Sequence, residues 1–368
     1  MGPPQSNQSD TFKTFTSMIP MSTNYIVLYF VGIVILGLLL YISNKLNLNT
    51  LNCSKLKATP NSNILSITQN NIPPDTPLNR YFVKTAHNCC CTGEFKNDYV
   101  DTCALKNCAA NGVRALDFQI YSLNNSPIVS ASSVESNQYK EMYNYIDFYN
   151  AMNIVRKYFI DDQSNSNAKD PLFLIFRLYS TNSPIYDKMG QAINEVYGYG
   201  SKMNNMVYIL PPKQSLDITM LSKLMGKVII IVDPSHGDKN AFINSRLMNY
   251  TSMITGSSLS NNIYRETSLL GVISVTKSTG GSTDISNNLT ILYPDILGAN
   301  SNNYDFITTG MFNYITFIGM NFQRNDTYLS EYNKFFKSCA FLNKGNVLKN
   351  MCADPKYSST NMCKNLNK

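Results

Sequence analysis

The chain has 368 residues, 31 basic against 24 acidic side chains for a formal net charge of +7, nine cysteines, two histidines and no tryptophan. The basic residues are spread thinly, with no Lys/Arg run to track a nucleic-acid backbone, so the charge pattern argues against a nucleic-acid partner. A mildly basic surface is instead attracted to anionic lipid.

Residues 1–24 are polar and carry Pro, Ser and Thr, the composition of a disordered tail. The uncharged run Tyr25–Ile42, YIVLYFVGIVILGLLLYI, follows. At ~1.5 Å per residue it just crosses a hydrocarbon core about 30 Å thick, which predicts a transmembrane helix over 25–43 and the lipid bilayer as a partner. It lacks the polar face of a buried core helix, and the basic start and small-residue cleavage site of a signal peptide. The expected location is a membrane, crossed once. Orientation stays open. Lys13 precedes the run while Lys45, Lys55 and Lys57 follow it, which favours a cytosolic C-terminal domain. The clustered cysteines and the sequons at Asn52, Asn124, Asn249, Asn288 and Asn325 favour the lumen.

Residues 44–77, rich in Asn, Pro and Ser, read as a linker, 78–342 as the globular region and 343–368 as a cysteine-containing tail. Within 78–342 the segments 113–121, 171–179, 206–210, 227–233, 289–293 and 314–322 are short, apolar and rich in β-branched and aromatic residues, which predicts strands. Segments 145–158 and 185–196 carry apolar residues at helical spacing. This alternation predicts an α/β fold with parallel β-α units, a barrel or an open doubly wound sheet. No glycine-rich GxGxxG turn follows the first strand, which favours the barrel.

His87 lies in TAHNCCCTG and His236 in VDPSHGDKN, the latter just past the strongest strand. Residues at the C-terminal ends of barrel strands line the active face, although a lone loop histidine is more often a solvated side chain. Cys89, Cys90 and Cys91 in direct succession lack the C-x₂-C spacing of zinc ligation, leaving disulfides or buried thiols.

The order AHN, NGVRALDFQIY, SPIVSASS, PLFLIFRLYS and LMGKVIIIVD, followed by ILYPDILGANSNNYDF and IGMNFQ, resembles the X and Y catalytic regions of phosphoinositide-specific phospholipase C. The resemblance covers roughly 78–342 and implies that family's distorted TIM barrel behind one transmembrane helix. It also implies cleavage of phosphatidylinositol lipids by a histidine base, a second histidine as acid, and calcium held by Asn and acidic ligands. On the matching positions His87 stands for the base, Asn88 and Asp117 for metal ligands and Tyr293 for a head-group contact. Gln119 replaces the second acid of the strand motif, Ser130 the second histidine and Arg177 the next acidic ligand. Ile231, Asp233 and Ile291 replace lysines and an arginine that grip the phosphorylated head group.

A catalytically degenerate barrel is therefore expected, a structural or lipid-contacting membrane protein with no resident cofactor. The alternative is an active phosphodiesterase with His87, Asp117 and Arg177 as catalytic residues and calcium, or Arg177 in its place, stabilising charge on the phosphate; a plain Arg177–Asp117 salt bridge is the simpler role. The composition, heavy in Asn, Ser, Tyr and Ile, points to an AT-rich genome such as that of a large DNA virus. On that reading the location is a virion or host internal membrane, with capsid or membrane proteins as partners.

Overall fold

A computed structural model of the chain describes residues 23–58, 64–69, 75–134, 138–198, 205–255, 263–266, 268–269, 288–296 and 300–366. The chain divides into two units between Leu48 and Asn49.

The first unit contains most of helix α1, Thr23–Lys57. From Tyr25 to Ile42 its side chains are all exposed and apolar apart from two glycines, long enough to cross a membrane by length and composition. The helix does not stop at residue 43 as expected: it continues to Lys57, and its last two turns belong to the second unit. There Leu56 packs on Cys103 and Ala104, the Asn52 amide donates to Asp98 at 3.0 Å, and Cys53 is disulfide-bonded to Cys103. The expected linker is thus partly folded helix.

The second unit is built on strands β1 (Tyr81–Ala86), β2 (Ala115–Leu123), β3 (Ser126–Ser130), β4 (Ile146–Asp147), β5 (Leu172–Leu178), β6 (Val228–Asp233), β7 (Thr251–Ile254), β8 (Ile263–Arg265), β9 (Ile291–Tyr293), β10 (Phe317–Met320) and β11 (Phe341–Asn343). Their order is β7-β6-β5-β2-β1-β10-β9-β8, with every neighbouring pair on that path parallel. The short β3, β4 and β11 are added antiparallel. Helices α2 (Thr102–Ala110), α3 (Phe148–Phe159) and α4 (Pro184–Tyr197) intervene between strands, and α5 (Thr327–Phe335), α6 (Lys344–Ala353) and α7 (Asn361–Leu366) follow β10.

The central strands are buried on both faces, which is why β5 reads LFLIFRL with almost no alternation. One face packs outward: Leu172, Leu174, Phe176 and Leu178 of β5 lie with Ala151, Met152 and Val155 of α3 and Ile185, Met189 and Ile193 of α4. The other face turns inward, where Val83, Phe173, Ile175, Ile229, Ile231, Ile291 and Phe317 form a separate cluster. Phe173 on β5 and Phe317 on β10 are three strands apart along the sheet, yet their ring centroids lie 5.0 Å apart. Only a sheet curled on itself brings them together. The α/β class and the curled, mainly parallel sheet agree with the sequence expectation.

Local chemistry accounts for the helices. On α3, buried Phe148, Ala151, Met152, Val155 and Phe159 recur at helical spacing, and Asp147 caps the start by accepting from the Asn150 amide at 3.1 Å. On α4 Pro184 occupies the first turn, and Gly190 lets the backbone at Arg246 and Leu247 approach to where a Cβ would meet it at 2.6 Å. The expected strand at 206–210 is reduced to a single bridge, Val207 to Val228. The tail boundary at 343 also moves: β11 pairs with β1, and Leu348 and Met351 of α6 are buried against the rest of the unit.

Candidate functional site

β1 ends at Ala86, and His87 and Asn88 follow it directly. The register of β1 on β2, Ala86 opposite Leu116, sets Asp117 level with His87. Asn88 takes a left-handed conformation, φ 43°, which asparagine tolerates better than other side-chain-bearing residues, and this turns its backbone N–H onto Asp117. Arg177 lies near the end of β5, Tyr293 ends β9 and Arg265 ends β8. The cluster therefore sits at the C-terminal ends of strands, where barrel proteins place their sites.

Asp117 is its centre. Its Oδ2 accepts from His87 Nδ1 at 2.7 Å, the Asn88 amide at 2.9 Å and Arg177 Nη2 at 2.8 Å, and its Oδ1 from Arg177 Nε at 2.8 Å and the Tyr293 hydroxyl at 2.9 Å. Arg177 Nη2 also donates to Asn88 Oδ1 at 2.8 Å, and Nη1 to the Tyr179 hydroxyl at 3.3 Å. The Tyr293 ring stacks on His87 with centroids 4.4 Å apart, and the Arg177 guanidinium lies 4.9 Å from the Tyr293 centroid. Gly319 of β10 makes room for that ring: a Cβ there would meet Tyr293 Cδ1 at 2.8 Å.

His87, Asn88, Asp117, Arg177 and Tyr293 are all buried. Burial pushes the His87 imidazole down to about 3 against the pull of Asp117, with Arg265 and Arg177 adding to the fall. Burial alone would raise Asp117, but the Arg177 guanidinium and His87 hold it well below the usual carboxylate range. The pair is thus a carboxylate facing a neutral imidazole whose Nδ1–H points at Asp117, leaving Nε2 as acceptor. Two groups meet Nε2: the Arg265 Nη1 at 3.1 Å and the Asn88 amide nitrogen at 3.2 Å.

Arg265, which also donates to the Pro294 carbonyl at 2.6 Å, is the residue that sequence reasoning missed. It lies in IYRET, a three-residue strand too short to register as one, and no motif marked it.

Gln119 and Ser130 are paired across the β2–β3 ladder but bond away from the cluster. Gln119 Oε1 accepts from the Tyr121 hydroxyl and the Ser132 amide, each at 2.8 Å, while Ser130 Oγ donates to the Asn144 carbonyl at 3.1 Å. His236 is elsewhere, stacked on Tyr179 with centroids 4.7 Å apart.

A calcium ion, which takes 6–8 oxygen ligands, does not suit this site. Asp117 is the carboxylate at its centre and both its oxygens are engaged, Asn88 Oδ1 is bonded to Arg177, and the guanidinium stands where a cation would have to be. Among the described residues the other grouping of metal-type side chains is Cys53, Asp101 and Cys103, and there the two thiols are joined as a disulfide.

No protein-family model matches the sequence, and no curated protein matches it. Solved structures do. L. pealei PLC21 aligns with TM-score 0.57 at 15% identity over 83% of this chain and 39% of its own, and S. officinalis PLC21 with TM-score 0.56 at 14% identity over 80% and 38%. The fold is phospholipase C-like. A calcium-dependent phosphoinositol-specific phospholipase C from a Gram-negative bacterium, Pseudomonas sp, aligns more loosely, with TM-score 0.41 at 11% identity over 68% of this chain and 91% of its own. This chain spans about two-fifths of the length of the two PLC21 proteins. At such identities the likeness concerns the fold, and the chemistry has to be argued from the residues present.

Proposed function

We propose that this is a membrane-anchored, phospholipase C-like protein that has lost calcium-dependent phosphodiester cleavage and serves as a structural or lipid-contacting component of its membrane. The observation that carries this reading is the Arg177 guanidinium seated on both oxygens of Asp117 and on Asn88 Oδ1. An arginine fixed there neutralises the carboxylate and takes up the oxygens a metal would need. Ser130, bonded to the Asn144 carbonyl, has neither the pKa nor the orientation of a general acid. Loss of a positioned acid typically costs 10²- to 10⁴-fold in rate, and loss of the metal several kcal/mol more, so little turnover would survive both. The exposed apolar stretch of α1 supports attachment to a bilayer.

One observation favours a second reading, an active phosphodiesterase in which arginine replaces calcium. His87 keeps a carboxylate behind Nδ1 and a lone pair on Nε2, the arrangement of a general base, and Arg265 lies beside it as a source of positive charge. Incubating the full-length protein with phosphatidylinositol vesicles, with and without calcium, separates the two. The degenerate reading expects no inositol phosphate above background in either case. Turnover that disappears in both His87→Ala and Arg177→Ala would overturn it in favour of the arginine mechanism.

A further inference from the structure

All nine cysteines of the chain have a definite place in the second unit. Cys53 pairs with Cys103 and Cys352 with Cys363, while Cys89, Cys90, Cys91, Cys108 and Cys339 are unpaired and fully buried. The sorting follows exposure. Cys53 and Cys352, the two that are only partly buried, are each in a disulfide, and no free thiol reaches the surface. Burial also pushes the Cys89, Cys91 and Cys108 thiols up, so they stay protonated and unreactive. A chain maturing among thiol oxidants requires this arrangement, because an exposed unpaired thiol there would cross-link.

The sequons are sorted in the same sense. Asn124 stands exposed in the two-residue turn between β2 and β3, with φ 48°, and Asn249, Asn288 and Asn325 are exposed as well. Asn52 is different. It is 7% exposed, lies within α1 beside the Cys53 disulfide, and its amide nitrogen is committed to Asp98.

We propose that the second unit matures on the oxidising, luminal side of the membrane and carries N-linked glycan on the exposed set Asn124, Asn249, Asn288 and Asn325, with Asn52 left bare. Each disulfide forms as two thiols give up two protons and two electrons to a protein disulfide donor of that compartment, which is reduced to its dithiol. Each glycan is attached as the Asn amide nitrogen bonds to the anomeric carbon of a lipid-diphosphate-linked oligosaccharide; the lipid diphosphate leaves and the amide gives up one proton. The opposing signal, lysines after the span, is weakened because Lys55 and Lys57 lie in the part of α1 that belongs to the folded unit.

The test uses the full chain expressed in a eukaryotic cell with a secretory pathway. Endoglycosidase treatment should increase its gel mobility, with Asn-to-Asp conversion mapped by mass spectrometry to residues of the exposed set and none at Asn52. Asn→Gln replacement of the modified residues should remove the shift, while Asn52→Gln should leave it unchanged. Peptide mapping under non-reducing conditions after alkylation should recover Cys53 joined to Cys103 and Cys352 joined to Cys363. Alkylated Cys53 or Cys103 in the native protein, glycan at Asn52, or disulfides without any glycan would each overturn the proposal.

Discussion

Arg177 and Asp117 form a two-point pair, Nε on Oδ1 and Nη2 on Oδ2, both at 2.8 Å and both out of contact with solvent. Such a pair gains little over an apolar isostere but is costly to break, because removing one partner strands the other charge in a low-dielectric site. Arg177→Ala should therefore destabilise the folded unit by about 3–5 kcal/mol, and Arg177→Lys should recover only part of that, since an ammonium lacks the planar fork. Urea midpoints at constant m-value measure this. The double variant Arg177→Ala with Asp117→Ala should lose less than the sum of the two single losses, and additive losses would show that the pair is not coupled.

His87 should stay neutral far below the usual imidazole range. With two histidines in the chain, proton NMR can follow each, and His236→Asn assigns them. His87 should not titrate between pH 7 and 4. Arg265→Gln should raise its pKa by withdrawing one adjacent positive charge, yet leave it below 6.5 because burial is the larger cause. A His87 that titrates near 6.5 in the wild type would contradict the burial and charge pattern described above.

The same shifts give stability a direction with pH. In the unfolded chain His87 binds its proton near 6.5, in the folded one near 3, so between those values the unfolded state holds more protons and stability falls as pH falls. Asp117, depressed in the folded state, contributes stability that is present above about pH 4 and is lost as pH falls further. Asp170, raised to about 6 by burial, works the other way between about 4 and 6, where the folded state holds the extra proton. The net expectation is a decline in urea midpoint from pH 6.5 downward that steepens once Asp170 is fully protonated, below about pH 4.

The two disulfides should differ in worth. On the chain-entropy account, closing a 50-residue separation between Cys53 and Cys103 restricts the unfolded state by about 4 kcal/mol, and an 11-residue separation between Cys352 and Cys363 by about 3 kcal/mol. The paired variants Cys53→Ala/Cys103→Ala and Cys352→Ala/Cys363→Ala should show that order in denaturant midpoints. The first should also loosen residues 49–57, read as faster amide exchange there, because Cys53 lies in that turn of α1.

Restoring chemistry should require several changes at once. Gln119→Asp, Ser130→His and Arg177→Glu together supply a second carboxylate, an acid and a free metal position, and calcium-dependent release of inositol phosphate is expected only from the triple variant. Any single change leaves the acid or the cation missing, and groups that act as a unit are strongly non-additive. Ser130→His also has to break the bond to the Asn144 carbonyl, so the regained rate should be modest.

The sequence by itself determined the apolar stretch at Tyr25–Ile42, the α/β alternation and the set His87, Asn88, Asp117, Arg177 and Tyr293, because hydropathy, periodicity and motif order are local properties of the chain. It could set the Arg177–Asp117 pairing only beside an alternative, since a distance of 60 residues carries no geometry. Tertiary structure alone decided the rest. Arg265 reaches His87 only because the sheet curls far enough to bring the end of β8 over the end of β1, and the Tyr293 ring fits on the imidazole only because Gly319 lacks a side chain. Helix α1 runs on to Lys57 because Leu56, Asn52 and Cys53 find partners on α2 and the loop before it, 46 to 50 residues away for Asp98 and Cys103, and these partners outweigh the weak helix propensity of Asn and Ser. Contacts of that range are set by how the strands stack, and no window of sequence contains them.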